Sequence, residues 1–489
     1  MGESMSKRLE KVYIALFCLA ASAVLLLLCS QCSPLYPINV WVDANCLLTV
    51  GRVMREGGVI YRDIYEQKGP TLYLIHAIAA CISDTSFLGV YVMEVFSFAA
   101  TLYAACRLAM RRANAPLAVG ACALMGACIL ISRTFSFGDS AEEFCLPYLM
   151  GALAIAFDQY GNKAGPMDDR ALFMCGLLAG VVLTIKFTIL GLFVGLCIAE
   201  GVLALREGGM KRALKSAGVF LVGMLLPLAA WCAYFACHGA LGDFLGSYFY
   251  NNIFLYNAEA RKLVDLAYSV YVTMRSNPVW VFAAVGGMIV FLADRKERLQ
   301  LRLAVLAMAF CAFAAVFCLG NIWPYYPLVL GVFAFSGLGT VCSRIERRLA
   351  SRTQRRIIGA GLCVLSLVTG WFSPNAFLRG VAKEELAQSR LAAYVHEGAT
   401  LLQYHYLDDG LYLAANRLPQ QKYFVRLNVD FEEMYVELDR YVREAIPDYV
   451  LTAWIPLPEE FDRYQLIAQD AGYDDSRRIN KPFYLYRRK

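Results

Sequence analysis

Charge is scarce in this 489-residue chain: Asp, Glu, Lys and Arg make up 18% of it against 59% hydrophobic residues, and the mean hydropathy is +0.49. So little charge cannot solvate one face of every helix, which excludes a soluble globular protein. Histidine is limited to four residues, and no second His stands one helical turn from His76, so no histidine metal motif is present there. The 17 cysteines lie mostly in apolar runs and stop at Cys363. That pattern argues against a zinc site or a disulfide scaffold and leaves them as small packing residues. The polar C-terminal region has no G-x-G-x-x-G and no G-x-x-x-x-G-K-[ST] at a strand-to-helix turn, so a nucleotide site there has no support. The net charge of +6 does not mark a nucleic-acid binder, because the Lys and Arg residues fall largely in short loops between apolar runs.

What the chain has in quantity is apolar length. Runs near 12–31, 86–108, 115–132, 143–158, 170–185, 187–205, 215–237, 278–293, 302–319, 322–341 and 356–373 approach or reach the crossing length, about 17 to 25 residues for a helix. They predict a polytopic α-helical membrane protein with about 11 transmembrane helices. The first run follows Lys7, Arg8 and Lys11 as a signal peptide would. It is too long for an h-region and many spans follow, so it is read as an uncleaved first helix. With the N-terminus in the cytoplasm, the basic loops around Arg107–Arg112, Lys163–Arg170, Arg206–Lys215, Arg295–Arg302 and Arg344–Arg356 share one side. The other side receives 32–85, the loop near 133–142, 238–277 and everything after about 374. The expected location is the plasma membrane, with the C-terminus extracytoplasmic.

The stretch 71–84 is apolar but too short to cross, and is expected as an interfacial or re-entrant helix with His76 at headgroup level. After Pro374 the composition turns charged and aromatic. Strand-like runs at Thr400–Tyr404, Tyr423–Val425, Tyr449–Thr452 and Phe483–Tyr486 alternate with helix-like segments near 383–396, 430–444 and 459–471. This predicts a small extracytoplasmic α/β domain over 375–489, separate from a transmembrane domain over 1–374.

The expected chemistry gathers in the first outer loop, 32–85. Asp43, just past the first span, is either a general base or the N-cap of the segment beginning at Ala44. Arg62 and Lys68 suit a lipid-linked phosphate, or simple headgroup contact. Asp63, beside Arg62, is a candidate for an acceptor or metal site. In the second outer loop, Asp139, Glu142 and Glu143 lie within five positions, as a site for a divalent cation or sugar hydroxyls, or as a helix cap and its dipole complement. The third loop sets Tyr248, Tyr250, Asn251, Asn252, Tyr256 and Asn257 before Arg261 and Lys262, and Asn321, Trp323, Pro324, Tyr325 and Tyr326 open a late run. Both compositions are those of an interfacial aromatic belt, and both also suit a sugar.

Together, an acidic residue directly after span one, Gly57-Gly58-Val59-Ile60-Tyr61-Arg62-Asp63, and Lys68-Gly69-Pro70 entering a short helix resemble the GT-C superfamily of membrane glycosyltransferases. Trp323-Pro324-Tyr325-Tyr326-Pro327 and the outer domain are similar to the branch joining protein O-mannosyltransferases and bacterial aminoarabinose transferases. The resemblance implies transfer of a sugar from a polyprenyl-phosphate carrier to an extracytoplasmic acceptor in a membrane-lipid setting. It makes Asp43 the catalytic carboxylate, Lys68 a donor-phosphate contact, and the acidic group at 139–143 part of an acceptor or metal site. Many members carry an acidic pair in the first loop, whereas here Asp43 is followed by Ala44, so a divalent metal is an open expectation. A lipid-linked polysaccharide polymerase or ligase, or a flippase or transporter using Lys186 as its intramembrane charge, are the alternatives.

Overall fold

In the computed structural model, residues 2–256, 263–318, 323–474 and 476–489 are described. Asn257, Arg261, Lys262 and Asn321, named above, lie outside them. Eight helices lead the chain: α1 (Gly2–Cys29), α2 (Val42–Arg55), α3 (Pro70–Ile82), α4 (Leu88–Ala109), α5 (Ala115–Leu130), α6 (Ala141–Asn162), α7 (Asp169–Lys186) and α8 (Gly191–Cys237). Helices at Leu263–Ser276, Pro278–Ala293, Leu299–Cys318, Leu338–Glu346 and Arg352–Trp371, with a 3-10 helix at Tyr326–Phe335, follow in the apolar part. Among the described residues six helices are long and apolar enough to cross a membrane, or seven if the pair around Asn277, bent by 106°, is one span. The chain is an integral membrane protein. The other expected runs fall on shorter or more polar helices such as α5 and α6, so the count of eleven is not reached by these criteria. Two expected runs join as the 47-residue α8, which kinks at Gly209, where φ is +66°.

α3 is short, as its 13 residues require. It does not hold His76 at headgroup level, however. His76 is fully buried, because Gly51 of α2 packs against it so closely that a Cβ there would lie 2.5 Å from the His76 Cβ.

The C-terminal region carries a four-stranded sheet in the order β1-β2-β4-β3, with β1 (Leu401–Gln403) parallel to β2 (Tyr449–Ala453) and β4 (Ile479–Arg488) antiparallel to both neighbours. The segment expected as a helix near 459–471 is instead largely β3 (Tyr464–Tyr473). Its pairing with β4, interrupted by register shifts after Leu466 and Gly472, overrides local helical pattern. Tyr423–Val425 forms no strand; the carbonyl just before it, on Lys422, accepts the Tyr65 N–H at 2.8 Å. This region is fastened to the first loop. Thr49 Oγ1 donates to Asp408 Oδ2 at 2.6 Å, and the Arg52 guanidinium reaches the carbonyls of Tyr412 and Arg417 and the side chain of Asn416.

Candidate active site

A cavity of about 390 Å³ lies where the loops 32–85 and 133–142, the end of α7 and the C-terminal region meet. Trp41, Asp43, Glu66 and Lys68 line it from the first loop, Arg133 and Glu142 from the second, and Lys186 from α7. Tyr325 and Tyr326 form an aromatic wall, while Tyr406, Leu407, Asn428 and Arg477 close it from the C-terminal region.

Asp43 is not a cap. The N-cap of α2 is Trp41, and Asp43 stands in the first helical turn without any side-chain capping bond. Its Oδ2 accepts the Tyr325 hydroxyl at 3.0 Å, and Trp41 meets the Tyr325 ring edge-on at 5.0 Å. The carboxylate is therefore held at the cavity by a residue from a turn distant in the chain.

Lys68 is gripped along its backbone. Its N–H donates to Glu66 Oε2 and to the Tyr73 hydroxyl, each at 3.0 Å, and its carbonyl accepts from Tyr61 at 2.6 Å. Its ammonium pairs with Glu66 Oε1 at 3.0 Å, with the Glu66 side chain only 1% exposed. Burial works against the ammonium, but Asp43 and Glu66 outweigh it and hold the Lys68 pKa above its ordinary value. The next residue explains the placement. Gly69 donates to the Ile185 carbonyl at 3.0 Å, and a Cβ at Gly69 would lie 2.1 Å from the Thr184 carbonyl oxygen. Only glycine lets the Lys68 loop approach the end of α7, which carries Lys186.

Lys186 pairs with Glu142 at 2.6 Å and sits 3.7 Å above the centre of the Tyr326 ring. Two lysines, each held by its own carboxylate, thus share the cavity with Asp43. Arg133 is exposed there, and its side chain has no hydrogen bond or ion pair among the described residues.

The three carboxylates of the second loop diverge. Glu142 alone of them lines the cavity. Asp139, at φ +68°, bonds His76 Nε2 at 2.8 Å. Burial works to lower the His76 pKa, and Asp139 outweighs it and raises it. Glu143 accepts the Asp139 N–H at 2.9 Å, and the N-cap of α6 is Ser140, which accepts the Glu143 N–H at 3.0 Å. These three do not fit a shared ion, and among the described residues no group of three or more His, Cys, Asp or Glu is arranged to hold a metal. Arg62 and Asp63 lie away from the cavity. Val59–Asp63 is a tight turn closed by the Val59 N–H on Asp63 Oδ2 at 2.7 Å, and Arg62 pairs with Asp63 and donates to the His238 carbonyl at 2.8 Å. The Arg62 guanidinium holds the Asp63 carboxyl below its ordinary pKa.

Nothing local in the sequence singles out Glu66, Arg133, Tyr406 or Arg477, whereas Tyr325 and Tyr326 carry a composition that suits either an interfacial belt or a sugar. Lys186 did carry a signal: a lone charge between apolar runs is costly unless partnered.

A bundle of apolar helices whose connecting loops and C-terminal sheet enclose a polar cavity has counterparts among solved membrane proteins. The chain has this fold in common with ArnT from Cupriavidus metallidurans bound to undecaprenyl phosphate, at 11% identity and TM-score 0.63, over 97% of this chain and 98% of that one. The apo form of the same ArnT gives 12% identity and TM-score 0.61, over 97% of each chain. AglB of Archaeoglobus fulgidus, an archaeal oligosaccharyltransferase in complex with an inhibitory peptide and a dolichol-phosphate, gives 11% identity and TM-score 0.50, over 91% of this chain and 69% of that one. By sequence the chain belongs to the competence-induced protein Ccs4 N-terminal domain family, whose model matches residues 3–384. No curated protein matches it by sequence.

Proposed function

We propose that this protein is a membrane glycosyltransferase that moves a sugar from a polyprenyl-phosphate carrier to an acceptor hydroxyl on the extracytoplasmic side, with inversion at the anomeric carbon. The observation that carries this reading is the convergence of Asp43, Lys68 and Lys186 on one cavity. Beside them Phe187, Ile189, Ile253, Ala315 and Val316 offer an apolar wall suited to a prenyl chain. The fold shared with ArnT and AglB, solved with undecaprenyl phosphate and with a dolichol-phosphate, supports the choice of carrier.

In this reading the donor phosphate lies between Lys68, Lys186 and Arg133. The acceptor oxygen attacks the anomeric carbon from the face opposite the phosphate as its proton passes to Asp43. The bond from that carbon to the phosphate oxygen breaks, and the electron pair leaves with the polyprenyl phosphate. Placing cations where charge develops stabilises the leaving group, and in-line attack inverts the centre. Asp63, Asp139 and Glu143 then serve structure, and Glu142 fixes Lys186.

The test is transfer by purified protein from synthetic polyprenyl-phosphate sugars, with mass spectrometry of the lipid that copurifies. Release of polyprenyl phosphate that depends on an acceptor supports the reading. Binding of the lipid-linked sugar without release under any acceptor overturns it in favour of transport.

A further inference from the structure

A second polar cavity lies at the far end of the helix bundle. Its walls are Arg112, Lys296, Arg344 and Arg347 with Asp294, Thr340 and Ser343. The end is opposite to the candidate active site. The helix Pro278–Ala293 starts where Asn277 accepts the Thr134 N–H, beside Arg133, and finishes at Asp294. α5 runs the other way, from Asn114, whose N–H donates to Glu346 at 2.7 Å, toward the Arg133 loop.

The acidic groups here are already engaged. Asp294 accepts the Thr340 hydroxyl at 3.2 Å and the Lys296 N–H at 3.1 Å, and Glu297 pairs with Arg112 at 2.6 Å. Among the described residues the side chains of Lys296, Arg344 and Arg347 have no hydrogen bond or ion pair, and all three are exposed around a concave, hydroxyl-bearing site. Three such cations beside serine and threonine hydroxyls are a phosphate-binding set.

We propose that this cavity binds the phosphate of an anionic phospholipid headgroup. The lipid source is favoured over a soluble anion by position. On the helix Pro278–Ala293 the exposed Phe282, Val285 and Ile289 form a stripe at helical spacing that leads down to Asp294 and Lys296. A chain lying on that stripe delivers its headgroup to the cavity. Basic pockets between helices on the cytoplasmic side are suited to such headgroups, and the dense basic loops place this end there.

The experiment measures thermal stabilisation and native mass spectra of the full-length protein on titration with short-chain phosphatidylglycerol, phosphatidylcholine or inorganic phosphate. Phosphatidylglycerol is expected to bind and raise the Tm. Arg344→Gln with Arg347→Gln is expected to weaken its apparent affinity by roughly tenfold or more. Removing the same charge nearby, by Arg348→Gln with Arg352→Gln, is expected to leave the affinity within about twofold, as for screened exposed charges. An equal response to phosphatidylcholine, or the full response to inorganic phosphate alone, overturns the proposal. So does an equal loss in both double variants, which would make the effect one of general surface charge. Lys296→Gln provides a second, single-site variant should the Arg pair fail to express.

Discussion

Tyr325 donates its hydroxyl to Oδ2 of Asp43 at 3.0 Å, joining residues 282 positions apart. The bond ties the 32–85 loop to the aromatic wall of the cavity and leaves Oδ1 without a hydrogen bond among the described residues. A carboxylate at a helix N-terminus is ordinarily explained by capping, and this one has no capping bond.

Asp43→Asn keeps the side-chain size, and the amide oxygen can still accept from Tyr325. Expression, Tm and donor binding are expected to stay close to wild type. Sugar transfer is expected to fall by roughly 100- to 10,000-fold, the usual contribution of a positioned base. Transfer at near-normal rate would move the base to Glu142, the second-loop carboxylate that lines the cavity.

Lys68→Ala removes two things at once, a phosphate contact and the partner of buried Glu66. Stranding a buried carboxylate costs about 3–5 kcal/mol, so the variant is expected to lose both Tm and donor affinity. Lys68→Met combined with Glu66→Gln removes the stranded charge and is expected to recover most of the Tm while donor affinity stays low. A cation that touches the phosphate in ground and transition states alike raises KM more than it lowers kcat. Recovery of donor affinity in the double variant would reduce Lys68 to a structural role.

Gly69→Ala is expected to be more damaging than its size suggests. The added Cβ would sit 2.1 Å from the Thr184 carbonyl oxygen, which is backbone and cannot rotate away. Overpacking of this kind costs about 1–3 kcal/mol, and it separates the Lys68 loop from Lys186. A lowered Tm with transfer nearly lost is the expected result; wild-type transfer would show that the two lysines need not be adjacent.

The C-terminal sheet contributes Tyr406 and Arg477 to the cavity through the strand ends near β1 and β4. The proposed side of catalysis therefore requires an extracytoplasmic C-terminus. A C-terminal reporter active only after export is expected to be active, and one active only in the cytoplasm silent. The reverse outcome would invert the whole arrangement.

Apolar runs and basic loops were readable from the sequence because both are local quantities: hydropathy summed over a helix length, and cation count in the loop that follows. The same locality marked Asp43, Lys68 and the acidic group at 139–143 as polar residues standing at the ends of greasy segments. What each of them touches was not local. Tyr325 finds Asp43, Lys186 finds Glu142, and His76 draws Asp139 away from the cavity, across 44 to 282 positions of chain. Which of three neighbouring carboxylates faces the cavity depends on the left-handed turn at Asp139 and on the start of α6 at Ala141. β3 became a strand because β4 was there to pair with it. These outcomes belong to tertiary structure, since a buried charge is placed by the partner that offsets its desolvation, and no window of sequence contains both.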